Sequence, residues 1–248
     1  MYNYQGRFFA FGCSFTASNS RPTWADIVGQ QFTEYQNWAR GGMGNQFIFN
    51  QLIEANIKNK FTADDTVIIM WSSITREDRY VKDLGGWYNG GNVFQSDDYS
   101  FNWIKKFACT RGYLIRDLAT ILAARDLLTH WGVNYKFLSM IPLNQSETYA
   151  DSDSEYSDVI DLYKDVLADI KPSIYEIIFN LENWQLKKSD FRPLDSQGYR
   201  DAHPDPKEAL EYVQTVLPEL NIGQDTIDYV NDFKYGDIAP QFYLVDRL

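Results

Sequence analysis

The sequence predicts an α/β fold: a mostly parallel sheet with helices on both faces, three layers in all. Three observations carry this. Phe8–Phe11 and Val67–Trp71 are continuous apolar runs, as expected of strands buried on both faces rather than one, and Tyr135–Ile141 reads as another buried strand. Segments with helical spacing separate them. Each run ends in turn chemistry, at Gly12, at Ser72-Ser73 and at Pro142. Strand followed by helix, repeated, is the order of a parallel sheet.

Taken in order, Phe8-Phe9-Ala10-Phe11 is the first strand, and Gly12 hands the chain to a loop carrying Cys13 and Ser14. Arg21-Pro22-Thr23-Trp24 reads as a helix entry, with apolar residues at Trp24, Ile27, Val28 and Phe32. A short extended piece spans about 35–39, and the Gly41–Asn45 turn opens a second helix through Phe47, Ile48, Leu52, Ile53 and Ile57. The second apolar strand follows a turn at Asp64-Asp65. From 76 to 103 the chain reads as a long irregular loop, rich in aromatics interleaved with Gly and Asp. A strong amphipathic helix is expected over about 113–130, then the third strand, then a polar acidic insert over 146–158. Further helices are expected through Val159, Leu162, Val166 and Leu167, over 207–217, and near 225–233. The whole, 1–248, reads as one domain with a C-terminal extension near 218–248.

Composition narrows the function. The net charge of −11 argues against nucleic acid and anionic membranes as partners, because phosphate binding needs Lys and Arg. Two cysteines, Cys13 and Cys109, build neither a disulfide framework nor a metal site. No basic region precedes an apolar run at the N-terminus, so a signal peptide is not expected, and a cytoplasmic or virion-associated setting is.

Ligands in open α/β sheets bind outside the carboxyl ends of the strands, and a tight Gly turn places Ser14 there as a candidate nucleophile. The base is sought among two histidines. His130 closes a helix, where imidazole interacts with the last carbonyls. His203 lies in Asp201-Ala202-His203-Pro204-Asp205-Pro206, held extended by the following proline and flanked by carboxylates. It suits a general base, with Asp201 fixing its tautomer. Two other readings stand beside this one: Asp201 and Asp205 as caps of the next helix, and an Asp-His-Asp metal cluster. Cys13 is a rival nucleophile to Ser14.

Gly12-Cys13-Ser14-Phe15-Thr16, Gly42-Met43-Gly44-Asn45 and Asp201-Ala202-His203-Pro204 resemble, in order and separation, three sequence blocks of the SGNH (GDSL-like) hydrolases. The resemblance spans nearly the whole chain and implies a three-layer, flavodoxin-like fold and a cofactor-free serine esterase. It implies an oxyanion hole built from the Ser14 and Gly42 N–H groups. Two departures stand out. Arg200 occupies the position of the family's usual acid, leaving Asp201 two residues before His203. No Asn follows the middle strand, so Ser73, or Asn45, takes the oxyanion side-chain role, and Arg76 becomes a substrate anchor. The aromatic loop, with Trp87 and Trp103, reads either as a surface that stacks on sugar rings, which points to an O-acetylated carbohydrate, or as a satellite core under the loop. An O-acyltransferase with the same residues, and a non-catalytic carbohydrate-binding or virion-surface module, remain the alternatives.

Overall fold

The structure, a computed structural model, describes residues 4–17, 21–143, 156–180, 185–186 and 203–234. Its centre is a four-stranded parallel sheet of β1 (Tyr4–Phe11), β2 (Phe32–Asn37), β3 (Thr66–Trp71) and β6 (Asn134–Ser139), in the order β2-β1-β3-β6. An isolated parallel bridge from Phe137 to Ile170 lies beyond β6.

The side-chain alternation of a strand explains the apolar runs. Phe8, Ala10, Ile68, Met70 and Leu138 point to one face, where α1 (Trp24–Gly29), α7 (Ile174–Ile178) and α8 (Pro206–Val216) cover them. Phe9, Phe11, Val67, Ile69, Trp71 and Phe137 point to the other, against α2 (Asn45–Asn59) and α4 (Thr110–Trp131). Both faces are buried, and a fully buried Phe contributes about 1.5–3 kcal/mol through the area it removes from water. Phe8 stacks on Phe32 and Tyr35 at 5.2 and 5.3 Å, which locks β1 to β2.

The chain leaves β1 through α1 to reach β2 on one side, then crosses through α2 to β3 on the other. The connections therefore diverge at the carboxyl end of β1, which is the topological switch point of such a sheet. Ser14 follows β1 at that point.

Some boundaries differ from the sequence expectation. Phe32 opens β2 rather than continuing α1, because α1 ends at Gly29. The run through Val159 and Leu167 is two helices, α5 (Ser157–Leu162) and α6 (Lys164–Ala168), broken at Tyr163. The segment from 76 to 103 is not an irregular loop. It is an antiparallel hairpin of β4 (Arg76–Val81) and β5 (Gly86–Asn92), followed by α3 (Phe101–Phe107). The hairpin lies outside the main sheet, so neither strand carries an apolar run. The directly paired Tyr80 and Trp87 hold it, with ring centroids 6.0 Å apart.

The final described elements are α8 and α9 (Gln224–Asp232). Asp205 is the N-cap of α8. Its carboxylate accepts from Glu208 N at 2.8 Å, and the Glu208 carboxylate accepts from Asp205 N at 2.8 Å, with Pro206 in the first turn. Among the described residues, no helix is long and apolar enough to cross a membrane. The end of the expected C-terminal extension, 235–248, lies outside them.

Candidate active site

The site is built on Gly12. A Cβ there would lie 2.1 Å from Thr16 Oγ1 and 3.1 Å from Met70 O, so no side chain fits. The chain then closes a helical turn, with Thr16 N and Ala17 N both donating to Cys13 O, at 3.0 and 2.9 Å. Buried partners pin this turn. Thr16 Oγ1 accepts from Trp24 Nε1 at 3.1 Å, and Thr16 O accepts from Asn37 Nδ2 at 2.8 Å and from Thr23 Oγ1 at 2.9 Å. Asn37 Oδ1 in turn accepts from Ala39 N at 3.0 Å, so one amide joins the turn after β1 to the loop after β2.

The turn leaves Ser14 half-exposed and buries its neighbours. Ser14 Oγ lies 2.7 Å from His203 Nε2, although 189 residues separate them. The imidazole packs on the Phe15 ring at 4.8 Å, and Arg21 donates to His203 O at 3.3 Å. The capped α8 fixes the chain two residues beyond the histidine. Serine hydroxyl and imidazole are thus within the reach that a nucleophile and its base require. An Nε2 that accepts from Ser14 leaves the ring proton on Nδ1, which needs an acceptor. Asp201, expected in that role, lies outside the described residues.

A cleft of about 220 Å³ opens beside the pair, walled by Phe15, Ala17, Trp24, Ile174 and Ala209, with Arg21 at its polar side. It is smaller than the roughly 300–1,000 Å³ typical of ligand pockets, so it accepts a small group.

Other sequence candidates fall elsewhere. Cys13 is fully buried, with its Sγ 3.7 Å from Met140 Sδ in the core, and does not line the cleft at Ser14. His130 is exposed in the last turn of α4. The Asp205 carboxylate is occupied as a helix cap, which removes it from the metal cluster considered with Asp201 and His203.

Gly42 adopts φ +76°, and a Cβ there would meet the Asn89 carboxamide at 1.8 Å, so this turn too requires glycine. Asn45 does not serve as an oxyanion donor. Its Nδ2 donates to Ser72 O at 3.1 Å and to Asp117 Oδ2 at 2.7 Å, while its Oδ1 accepts from Ser72 N at 2.7 Å. Ser73 is likewise fully buried and turned to Thr75, with the two hydroxyls 2.9 Å apart.

Arg76 donates to Met43 O at 3.1 Å, and its other Nη lies 3.8 Å from Met140 Sδ, one residue contact from Cys13. Trp87 packs edge-on against Phe47 and Tyr80, and Trp103 packs against Tyr99 and Phe107 beneath Arg79. Neither tryptophan lines the cleft at Ser14. The hairpin and α3 consume these rings as a satellite core.

Asp78 and Asp117 escaped the sequence reading. Asp78 caps α2, accepting from Gly44 N at 2.7 Å and Phe47 N at 2.8 Å. Asp117 is fully buried in α4, 2.6 Å from Arg116 Nε. The signal was present: Asp117 falls on the apolar face with Leu114, Leu118 and Ile121, where a carboxylate needs partners. Burial pushes its carboxyl up to about 6 despite the adjacent guanidinium. A carboxyl raised in the folded state favours folding when protonated. That contribution is present in full below the unfolded value and is lost as pH rises through about 6. Unfolding by urea at pH 5 and pH 7 should therefore show about 1 kcal/mol more stability at pH 5 from this group. Asp117→Asn should remove that increment. An unchanged increment in the variant would contradict the assignment.

No family model matches this chain, and no curated protein matches it. Solved structures similar to it include a GDSL-like lipase from Bacteroides thetaiotaomicron, at 13% identity over 86% of each chain, TM-score 0.44. A psychrotrophic esterase, EstA, from Pseudoalteromonas sp. is similar at 10% identity over 87% of this chain and 99% of that one, TM-score 0.45. A member of the lipolytic G-D-S-L family from Veillonella parvula is similar at 11% identity over 86% and 96%, TM-score 0.45. At such identities and TM-scores the likeness bears on neither residues nor substrates. The fold and site by themselves define an α/β protein with a serine–histidine pair at the switch point of a parallel sheet.

Proposed function

We propose that this chain is a serine ester hydrolase of the SGNH (GDSL-like) kind, acting on a small acyl ester through a covalent acyl-enzyme. The observation that carries the reading is the 2.7 Å approach of Ser14 Oγ to His203 Nε2 at the carboxyl end of β1. His203 accepts the Ser14 proton as the oxygen attacks the ester carbonyl, then protonates the departing alcohol. Water, deprotonated by the same imidazole, releases the acid. Asp201 is the proposed acceptor for Nδ1–H.

The backbone N–H groups of Ser14 and Gly42 are the proposed oxyanion donors, and each such donor is worth about 3–4 kcal/mol of barrier. With Asn45 and Ser73 consumed elsewhere, the charged side chain proposed to assist is Arg76, held between Met43 O and Met140 Sδ. The O-acetyl group of a carbohydrate suits the cleft, and an acidic surface disfavours phosphorylated polymers. The acidic surface and small cleft support that substrate class, whereas Trp87 and Trp103 no longer do.

Chain length tests the reading. p-Nitrophenyl acetate and butyrate should be hydrolysed, with kcat/KM falling at least about tenfold by the dodecanoate, because a cleft of about 220 Å³ excludes a long chain. Equal rates for acetate and dodecanoate would contradict the assignment of the cleft. No turnover of any ester would contradict the function.

A further inference from the structure

We infer that Asp117 is a positioning residue for catalysis, acting through Asn45 and Arg116 to hold the Gly42–Gly44 turn and the Ser72–Arg76 connection in register with Ser14. This rests on the reading of Ser14 as the nucleophile.

The sheet order poses the problem. The Gly42 turn follows β2, whereas Ser72 ends β3, and β1 lies between those strands. No sheet hydrogen bond can join β2 to β3, so side chains must set the relation between the two loops. Asn45, in the first turn of α2, bonds both backbone groups of Ser72. That pairing fixes which end of the amide faces the N–H and which the C=O of Ser72. Asp117 Oδ2 accepts at 2.7 Å from the remaining Asn45 Nδ2–H, and a carboxylate only accepts, so it reinforces that orientation and ties it to α4.

Arg116 extends the clamp. Its Nε donates to Asp117 Oδ1 at 2.6 Å, and one Nη donates to both Ile74 O and Arg76 O at 3.0 Å. One buried carboxylate on α4 thus anchors the turn that carries Gly42 and the connection from which Arg76 extends. Asp117 touches no part of the cleft, so its effect is on placement. A misplacement of about 1 Å costs as much as 10²-fold in rate.

The test measures turnover of p-nitrophenyl acetate per active site, with sites counted by stoichiometric release of p-nitrophenol from diethyl p-nitrophenyl phosphate. Asp117→Asn should lower kcat per counted site at least about tenfold with KM within about twofold. Asn45→Ser, which leaves the Asp117–Arg116 pair in place, should do the same, and the double variant should be no worse than the poorer single one. If the variants lose only melting temperature and the fraction of countable sites, with kcat per site unchanged, Asp117 is structural and the inference is overturned. If wild type itself neither reacts with the phosphate ester nor turns over, the nucleophile assignment fails instead.

Discussion

Ser14→Ala is expected to lower kcat/KM for p-nitrophenyl acetate by about 10⁴-fold or more while leaving the protein folded. The hydroxyl is the group that the substitution removes, while the backbone N–H proposed for the oxyanion hole stays, and its Oγ meets His203 Nε2 at 2.7 Å. Its removal takes away one half-exposed hydrogen bond, worth about 1 kcal/mol or less. The turn that holds residue 14 is fixed by Gly12, Thr16, Trp24 and Asn37, none of which touches the lost oxygen. The melting temperature should therefore barely move while activity disappears. Retained turnover in a folded Ser14→Ala protein would place the chemistry elsewhere.

His203→Ala is the second large effect. Without the imidazole, Ser14 Oγ loses the one base that the described residues bring within hydrogen-bond reach, and the departing alcohol loses the acid proposed to protonate it. The loss should approach that of Ser14→Ala. The double variant should be no slower than either single one, because residues that act as a unit are not additive. Additive losses would mean that the two groups work independently. Stability should change little, since Asp205 and Glu208, not His203, cap the helix that follows.

The layers of the fold were legible because burial on both faces writes itself into sequence as unbroken apolar runs. Phe8–Phe11 and Val67–Trp71 showed it, whereas in β6 Lys136 interrupts the run. Gly12 and the turn before Pro206 were legible because tight turns demand particular residues. The hairpin over 76–92 was not. Its strands pair with each other beyond the sheet, and Arg76-Glu77-Asp78-Arg79 gives no apolar period.

The candidate site divides the same way. Ser14 and His203 stand in constrained turns, so their type and place could be read locally. Whether Asn45, Ser73, Trp87 or Trp103 is available to a substrate depends on partners far along the chain. Asn45 is claimed by Asp117, 72 residues away, and Trp87 by Phe47 in a different layer. Local sequence carries no record of such claims, though a carboxylate on the apolar face of α4 was a trace of one.

The central claim is that Ser14 is a nucleophile made reactive by His203. Stoichiometric modification with diethyl p-nitrophenyl phosphate, followed by peptide mass spectrometry, tests it most directly. One diethylphosphoryl group on Ser14, formed far more slowly in His203→Ala, is the predicted result. Modification of another residue, or of Ser14 at the same rate in both proteins, would contradict it.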